Sequence, residues 1–306
     1  MRYGAHLPLI DFDGHGWNGT TLQSYARLAR ESGYQSLTAN DHLVFSRPWL
    51  DGIVALASVI EASGQLDLAT SVSLPVVRGP AALAKAAAAL DVLSGGRFIL
   101  GIGPGSSHRD YELAGVPFTE RWPRFDEAVR ALRSHLTADA PPSAAQYYPN
   151  GPVLEPAPQR AEGPPIWIAS WGSAAGLRRV ARLGDGWLAS AYNTTPDQVA
   201  MARATITTLL ERAGRPVAGF SCALATMWTY ITDDRGRREA HLERLGAMLK
   251  RPVADLAQHL LVGPAEHCAA IVRAYQATGV DHLSIWPLAE SESQLVRFMR
   301  EVAPLV

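Results

Sequence analysis

The sequence predicts a (β/α)8 TIM barrel, and three observations carry that prediction. Short apolar strands and amphipathic helices alternate along the whole of its 306 residues. The stretch Leu83 to Asp110 shows one repeat unit in full: a helical run stopped by Ser94-Gly95-Gly96, a buried strand Phe98 to Gly103, and a loop of Gly, Pro and Ser. Eight such strands follow one another with helical crossovers between them. In this fold, the loops at the C-terminal ends of the strands hold the chemistry.

Tyr3 to Leu9 reads as the first strand, with Pro8 near its end, and Asp11 to Gly19 as a glycine-rich loop. Thr20 or Thr21 is the expected cap of a helix that stops at Gly33. Ser36 to Ala39 is the second strand, ended by Asn40-Asp41-His42, and a helix follows from about Pro48 to Ala62. Leu66 to Leu74, dense in β-branched residues, is the third strand. The next helix starts near Gly79-Pro80, where proline suits a first turn. Beyond the fourth strand, Phe125, Val129 and Leu132 recur at helical spacing within Arg121 to Leu136.

Thr137 to Pro165 then turns proline-rich and polar. So long a connection is usually functional, and it is expected to pass over the active face. Ile166 to Ala169, Gly186 to Ser190, Phe220 to Ile231 and His282 to Trp286 complete the strands, the seventh overshooting its neighbours. Helices at Ser173 to Leu183, Pro196 to Ala213, Pro264 to Thr278 and Glu292 to Val302 separate and close them. The expectation is a single barrel domain over residues 1–306, with insertions at about 137–165 and 232–261. An open doubly wound sheet is the competing fold. Gly101-x-Gly103-x-Gly105 is half of a dinucleotide fingerprint, but its third glycine and the acidic strand end are missing.

A formal net charge of -1 gives no general pull toward nucleic acid or an anionic membrane. Cys222 and Cys268, with no CxxC, argue against a zinc cluster or a disulfide scaffold and read as small buried apolar residues. No leader pattern and no spanning apolar stretch is found, so the protein is expected to be cytoplasmic.

The strand ends bring together His6, Asp41-His42, Ser71 to Ser73, Gly103 to His108, Ser170 to Ser173, Ser190 to Asn193, Trp228 and Trp286. That collection has no convergent set of three or four His or carboxylate ligands, which disfavours a metal-dependent hydrolase. Small residues that admit a ring system, with aromatic walls, fit a large flat cofactor better. Asp41 and His42 are the sharpest pair, able to accept and donate protons near neutral pH. Neighbours on a regular strand point opposite ways, so both face one pocket only if the strand has ended there. Otherwise Asp41 caps a turn and His42 packs at the rim. His6 is a second imidazole or a structural one. His108 sits in a flexible-looking loop, facing either substrate or plain solvent. Ser170-Trp171-Gly172-Ser173 opens a helix and makes a phosphate seat, or Ser173 simply caps it. A nucleoside triphosphatase loop and a nucleophile elbow are both missing.

Several segments, in this order and spacing, carry a family resemblance: HLP, LARESGYQSLTANDHL, SVSLPVVRGPAALAKAAAALDVLSGGRFILGIGPG, GVPFTERWPRFDEAVRAL, PPIWIAS, ARLGDGWL and GVDHLSIWP. The sequence resembles the bacterial luciferase-like flavin and deazaflavin oxidoreductases over nearly its whole length. The resemblance implies a barrel with insertions and coenzyme F420 or FMN as cofactor. It favours F420, because an Asp-His pair ends strand two in deazaflavin-dependent relatives. By that resemblance Asp41 contacts the cofactor's ring region and His42, the expected catalytic residue, lies beside the reactive carbon. A non-proline cis peptide at Ser71-Val72 is implied behind the ring. Further cofactor contacts are implied at Gly103, Gly105 and Ser106, with a phosphate seat at Ala169, Ser170, Trp171, Gly172 and Ser173.

Dehydrogenase relatives keep a glutamate in the strand-four loop where this chain has Ser106, which argues against a sugar-phosphate dehydrogenase of that type. An FMN enzyme would yield an oxygenated product and need a reductase partner. Relatives are commonly dimers, so a homodimer acting on a small organic molecule is expected. The two insertions are expected to wall the pocket, and Trp17, Trp49, Trp171 and Trp286 suggest an apolar or aromatic substrate face. A non-catalytic binding barrel is the other class, expected if no flavin-type cofactor binds.

Overall fold

In the computed structural model, which describes residues 1–12, 14, 16–137, 145–149 and 151–306, parallel strands close into a ring. They are β1 (Arg2–His6), β2 (Ser36–Ala39), β3 (Asp67–Thr70), β4 (Phe98–Ile102), β5 (Ile166–Ala169), β6 (Gly186–Ser190) and β7 (Ser221–Ile231), with β8 (Leu261–Gly263) and β9 (His282–Pro287). The sheet order is β6-β5-β4-β3-β2-β1-β9-β7-β8, and β7 pairs back onto β6 to close an eight-stranded barrel. β8 lies outside the ring, on the overshoot of β7, where Thr229 pairs with Leu261. It was expected to be the end of an insertion, and three residues are too few to announce a strand.

The helices are α1 (Gly19–Glu31), α2 (Gly52–Ser58), α3 (Pro75–Arg78), α4 (Pro80–Leu93), α5 (His108–Leu113), α6 (Arg121–Leu136), α7 (Ala174–Leu183), α8 (Pro196–Arg212), α9 (Arg235–Leu249), α10 (Val253–His259), α11 (Ala265–Ala277) and α12 (Ser291–Arg297). Local chemistry sets their ends. Asn18, not Thr20 or Thr21, caps α1 by accepting from the Thr21 N–H at 2.8 Å. Asp51 caps α2 and so starts it later than Pro48. Thr195 and Gln198 form a capping box on α8. Gly79, at φ 80°, separates α3 from α4 in a conformation suited to glycine.

Side chains alternate across each barrel strand. Ile166 and Ile168 of β5 join the large core between barrel and helices, while Trp167 and Ala169 point to the lumen with Ala69, Ile99, Leu188, Ala223 and Ala225. The lumen is crowded. A side chain at Gly101 would place its Cβ 2.0 Å from the Thr70 carbonyl oxygen. Thr38 and Ser284 meet across it, hydroxyl to hydroxyl, at 2.7 Å.

One expectation fails on topology. α6 ends and β5 begins at the base of the barrel, so the described residues of the connection 137–165 lie there and not over the active face. Residues 138–144 and 150 fall outside those described. Of the rest, Arg160 reaches buried Asp91 at the end of α4 (Nη2 to Oδ1, 2.5 Å), and the His135 carbonyl accepts from the Leu154 N–H at 2.9 Å. The segment linking β7 to β8, with α9 and α10, does leave from the mouth. Its Arg244 guanidinium lies over the Phe12 ring, 4.5 Å from the centroid.

Candidate active site at the barrel mouth

The end of β2 sends two neighbouring side chains in different directions, and each finds a partner the sequence did not announce. Asp41 is buried and bound by Arg78 of α3, with Nε to Oδ2 at 2.5 Å and Nη2 to Oδ1 at 2.7 Å. The same guanidinium reaches Asp51, and these carboxylates raise its pKa. Asp41 therefore ties β2 to the turn after β3. His42 turns instead to Asp110 of α5, with Nδ1 to Oδ2 at 2.8 Å.

Asp110 is almost fully buried, and its other oxygen accepts from the backbone N–H groups of Leu43 (3.1 Å) and Val44 (2.8 Å). Burial pushes its carboxyl up, but the bonds from His42, Val44 and Leu43 outweigh that and hold it below the usual carboxylate range. An ionised carboxylate can only accept, so the proton of neutral His42 sits on Nδ1 and the lone pair on Nε2. Asp110 was missed from the sequence because it is 68 residues from His42. The available signal was Ser107, which caps α5 by accepting from the Asp110 N–H. His108, expected in a loop, is the first residue of that helix and stacks on Phe118 at 3.6 Å.

The Ser71–Val72 peptide is cis. Beyond it the chain rejoins β4, the Gly103 N–H donating to the Ser73 carbonyl at 3.1 Å. Val72, Gly103 and Ala169, from three successive strand ends, lie side by side: a Cβ on Gly103 would sit 3.1 Å from Val72 Cγ2 and 3.3 Å from Ala169 Cβ. The result is a shallow cradle of small residues. Gly105 holds φ 78° in the following loop, with exposed Ser106 next to it. At α7, Ser173 caps by accepting from the Gly176 N–H at 3.2 Å, and Ser170 Oγ accepts from the Gly172 N–H at 3.2 Å. Capping leaves the first-turn N–H groups of Ala174 and Ala175 without intrahelical acceptors. Trp171 beside them is 59% exposed.

Aromatic rings wall the opposite side. His6 stacks on Trp286 at 3.7 Å, and Trp286 on Trp228 at 4.1 Å. A bulge in β7 between Leu224 and Met227 sets that second pair in register. Trp49 meets His42 edge-on at 4.8 Å and Trp286 at 6.0 Å. Burial pulls the His6 pKa down to about 3, against the smaller opposing effects of the Leu7 carbonyl and Asn40. Its Nδ1–H donates to that carbonyl at 2.7 Å, so Nε2 is an acceptor. Ser73 Oγ, Trp49 Nε1 and Trp228 Nε1 are buried without a hydrogen-bond partner among the described residues. Buried polar atoms are rarely left so, and three at one barrel mouth fit a polar ligand. Among the described residues, no group of three or more His, Cys, Asp or Glu is placed to hold a metal ion.

A closed parallel barrel carries at its mouth a carboxylate-bound imidazole, a cradle of small residues and a capped helix N-terminus. The chain belongs to the luciferase-like monooxygenase family, whose model matches residues 18–245. It is 30% identical to the uncharacterised protein Rv0940c of Mycobacterium tuberculosis (strain ATCC 25618 / H37Rv), over 70% of this chain and 77% of that one. It is 26% identical to an F420-dependent glucose-6-phosphate dehydrogenase of Kribbella flavida, over 93% of both chains. Its fold is similar to that of the monooxygenase RslO1 from Streptomyces bottropensis, with a TM-score of 0.84, 20% identity and 99% of each chain covered. No helix among the described residues is long and apolar enough to cross a membrane.

Proposed function

We propose that this protein is a deazaflavin-dependent oxidoreductase, using coenzyme F420 to pass a hydride to or from a small organic substrate. The observation that carries the reading is the His42–Asp110 pair set at the mouth with the cradle of Val72, Gly103 and Ala169. A carboxylate-oriented imidazole serves proton transfer that accompanies hydride transfer. Support for the deazaflavin comes from the sequence likeness to the dehydrogenase of Kribbella flavida across nearly the whole chain.

The residues present fit such a cofactor. Val72, Gly103, Gly105 and Ala169 would back the ring, and Ser71 and Ser106 would border it. Ser170, Trp171, Gly172 and Ser173, with the N–H groups of α7, would hold its phosphate. When bound, the ring supplies two-electron hydride chemistry. His42 Nε2 would take or give the proton at the substrate's oxygen, while Asp110 keeps the imidazole oriented. Trp228, Trp286 and His6 exclude water from that side, which strengthens each electrostatic contact within. Asp41, engaged by Arg78, would act on the cradle from behind.

The family's description favours a second reading, an FMN-dependent monooxygenase served by a reductase, in which the same cavity would exclude water from the oxygenation step. An anaerobic titration of the purified protein with coenzyme F420 and, separately, with FMN decides between them. Micromolar binding of F420 with weak FMN binding is expected. Tight FMN binding would overturn the deazaflavin assignment, and binding of neither would overturn both.

A further inference from the structure

One cavity lies away from the mouth. About 440 Å³ in volume, it opens at the base of the barrel, where β1, β3, β4 and β9 begin. That is within the size range of small-molecule sites. Trp167 forms its inner wall, in a place kept open by Gly186, whose Cβ would lie 2.5 Å from the indole. His282 meets the Trp167 ring edge-on at 5.0 Å. The outer wall is Arg160 to Pro165, the end of the long connection that has no part in the active site.

Charge on this wall is unevenly matched. Asp67 is paired with Arg2 at 2.5 Å, and Asp185 with Arg133 at 2.9 Å. Arg160 is paired with Asp91. Arg97 lines the same cavity and, among the described residues, forms no ion pair within contact distance, though it feels the charge of Asp67: its Nε donates to the Ser94 carbonyl at 2.8 Å and its Nη1 to the Leu66 carbonyl and Ser63 Oγ. Its Nη2 has no hydrogen-bond partner among the described residues, and burial lowers its pKa. Glu162, the remaining acid, is on the exposed rim. A half-buried guanidinium with a spare donor, lining the same cavity as an indole, calls for an anion with a flat apolar body.

We propose that the basal cavity binds a small planar organic anion, its carboxylate on Arg97 and its ring against Trp167. This site lies at the far end of the barrel from the proposed redox centre and does not depend on that assignment.

Calorimetric titration of the purified protein with salicylate tests it, using salicyl alcohol and inorganic phosphate as controls. Salicylate is expected to bind with a Kd below about 1 mM, and both controls about tenfold more weakly or not at all. R97Q should weaken salicylate about tenfold or more. Because Arg97 also holds backbone carbonyls, S221Y is the second variant: it fills the cavity from the start of β7 and leaves every arginine in place. It should abolish binding while the thermal unfolding midpoint stays close to that of the parent. No salicylate binding, binding that survives S221Y, or salicyl alcohol or phosphate binding as tightly would each overturn the assignment.

Discussion

His42 Nδ1 and Asp110 Oδ2 are 2.8 Å apart, joining the end of β2 to the first turn of α5 across 68 residues of chain. The bond fixes the tautomer and the ring plane of His42, and the second oxygen of Asp110 pins the two residues that follow it. Replacing His42 by Gln should lower turnover about a hundredfold while cofactor affinity changes little. Stopped-flow absorbance of the cofactor, together with an equilibrium titration, separates those two effects.

D110N should act through His42 and through stability. The carboxyl is held below its usual range, so its contribution is present above the unfolded value of about 4 and is lost as pH falls through the lower folded value. Urea unfolding at neutral pH should show D110N less stable by about 1–3 kcal/mol. That gap should close on acidification. A gap that is independent of pH would mean the carboxylate's charge is not what matters.

The same sign is expected at His6, over a higher pH window. Its folded pKa of about 3 lies below the ordinary 6.5, so between those values the unfolded chain binds more protons and stability falls as pH falls. The slope from this one group is about 1.4 kcal/mol per pH unit. H6F, which keeps a ring against Trp286, should remove one proton from the pH dependence measured by denaturant titration over that window.

Gly103 leaves only 3.1 Å to Val72 and 3.3 Å to Ala169 for a new side-chain carbon. G103V should therefore fill the cradle and weaken cofactor binding about a hundredfold or more, with a smaller loss of thermal stability. Unchanged affinity would remove the cradle from the cofactor site.

Arg78 is the counter-charge for buried Asp41 and also reaches Asp51. R78M should destabilise the fold by about 3–5 kcal/mol, because a buried carboxylate loses its partner. R78K should recover only part of that, since an ammonium cannot span both oxygens of Asp41. Thermal melts of the three proteins measure the difference.

The barrel was legible because short, mostly apolar and small-residue strands alternate with helical runs along the chain. The small residues of the cradle and the Ser173 cap of α7 were legible as motifs. Partners distant in sequence were not: nothing local in Asp41-His42 reveals that one side chain goes to Arg78 and the other to Asp110. β8 is hidden because its three residues become a strand only when β7 overshoots to meet them. The placing of residues 137–165 was decidable, since a connection from helix to strand in this fold returns to the base. Length and composition pointed to function there and said nothing about which end of the barrel it served.

The bulge in β7 has a consequence for how this scaffold can diversify. Before it, β6 is the neighbour of β7 on that side, and after it β8 takes the place. The two helices between β7 and β8 are thus rooted on a tongue of three residue pairs outside the closed ring. They form an exchangeable cassette: another sequence could be grafted between Thr232 and Leu260 to recognise a different molecule, with the ring's hydrogen bonds left unbroken.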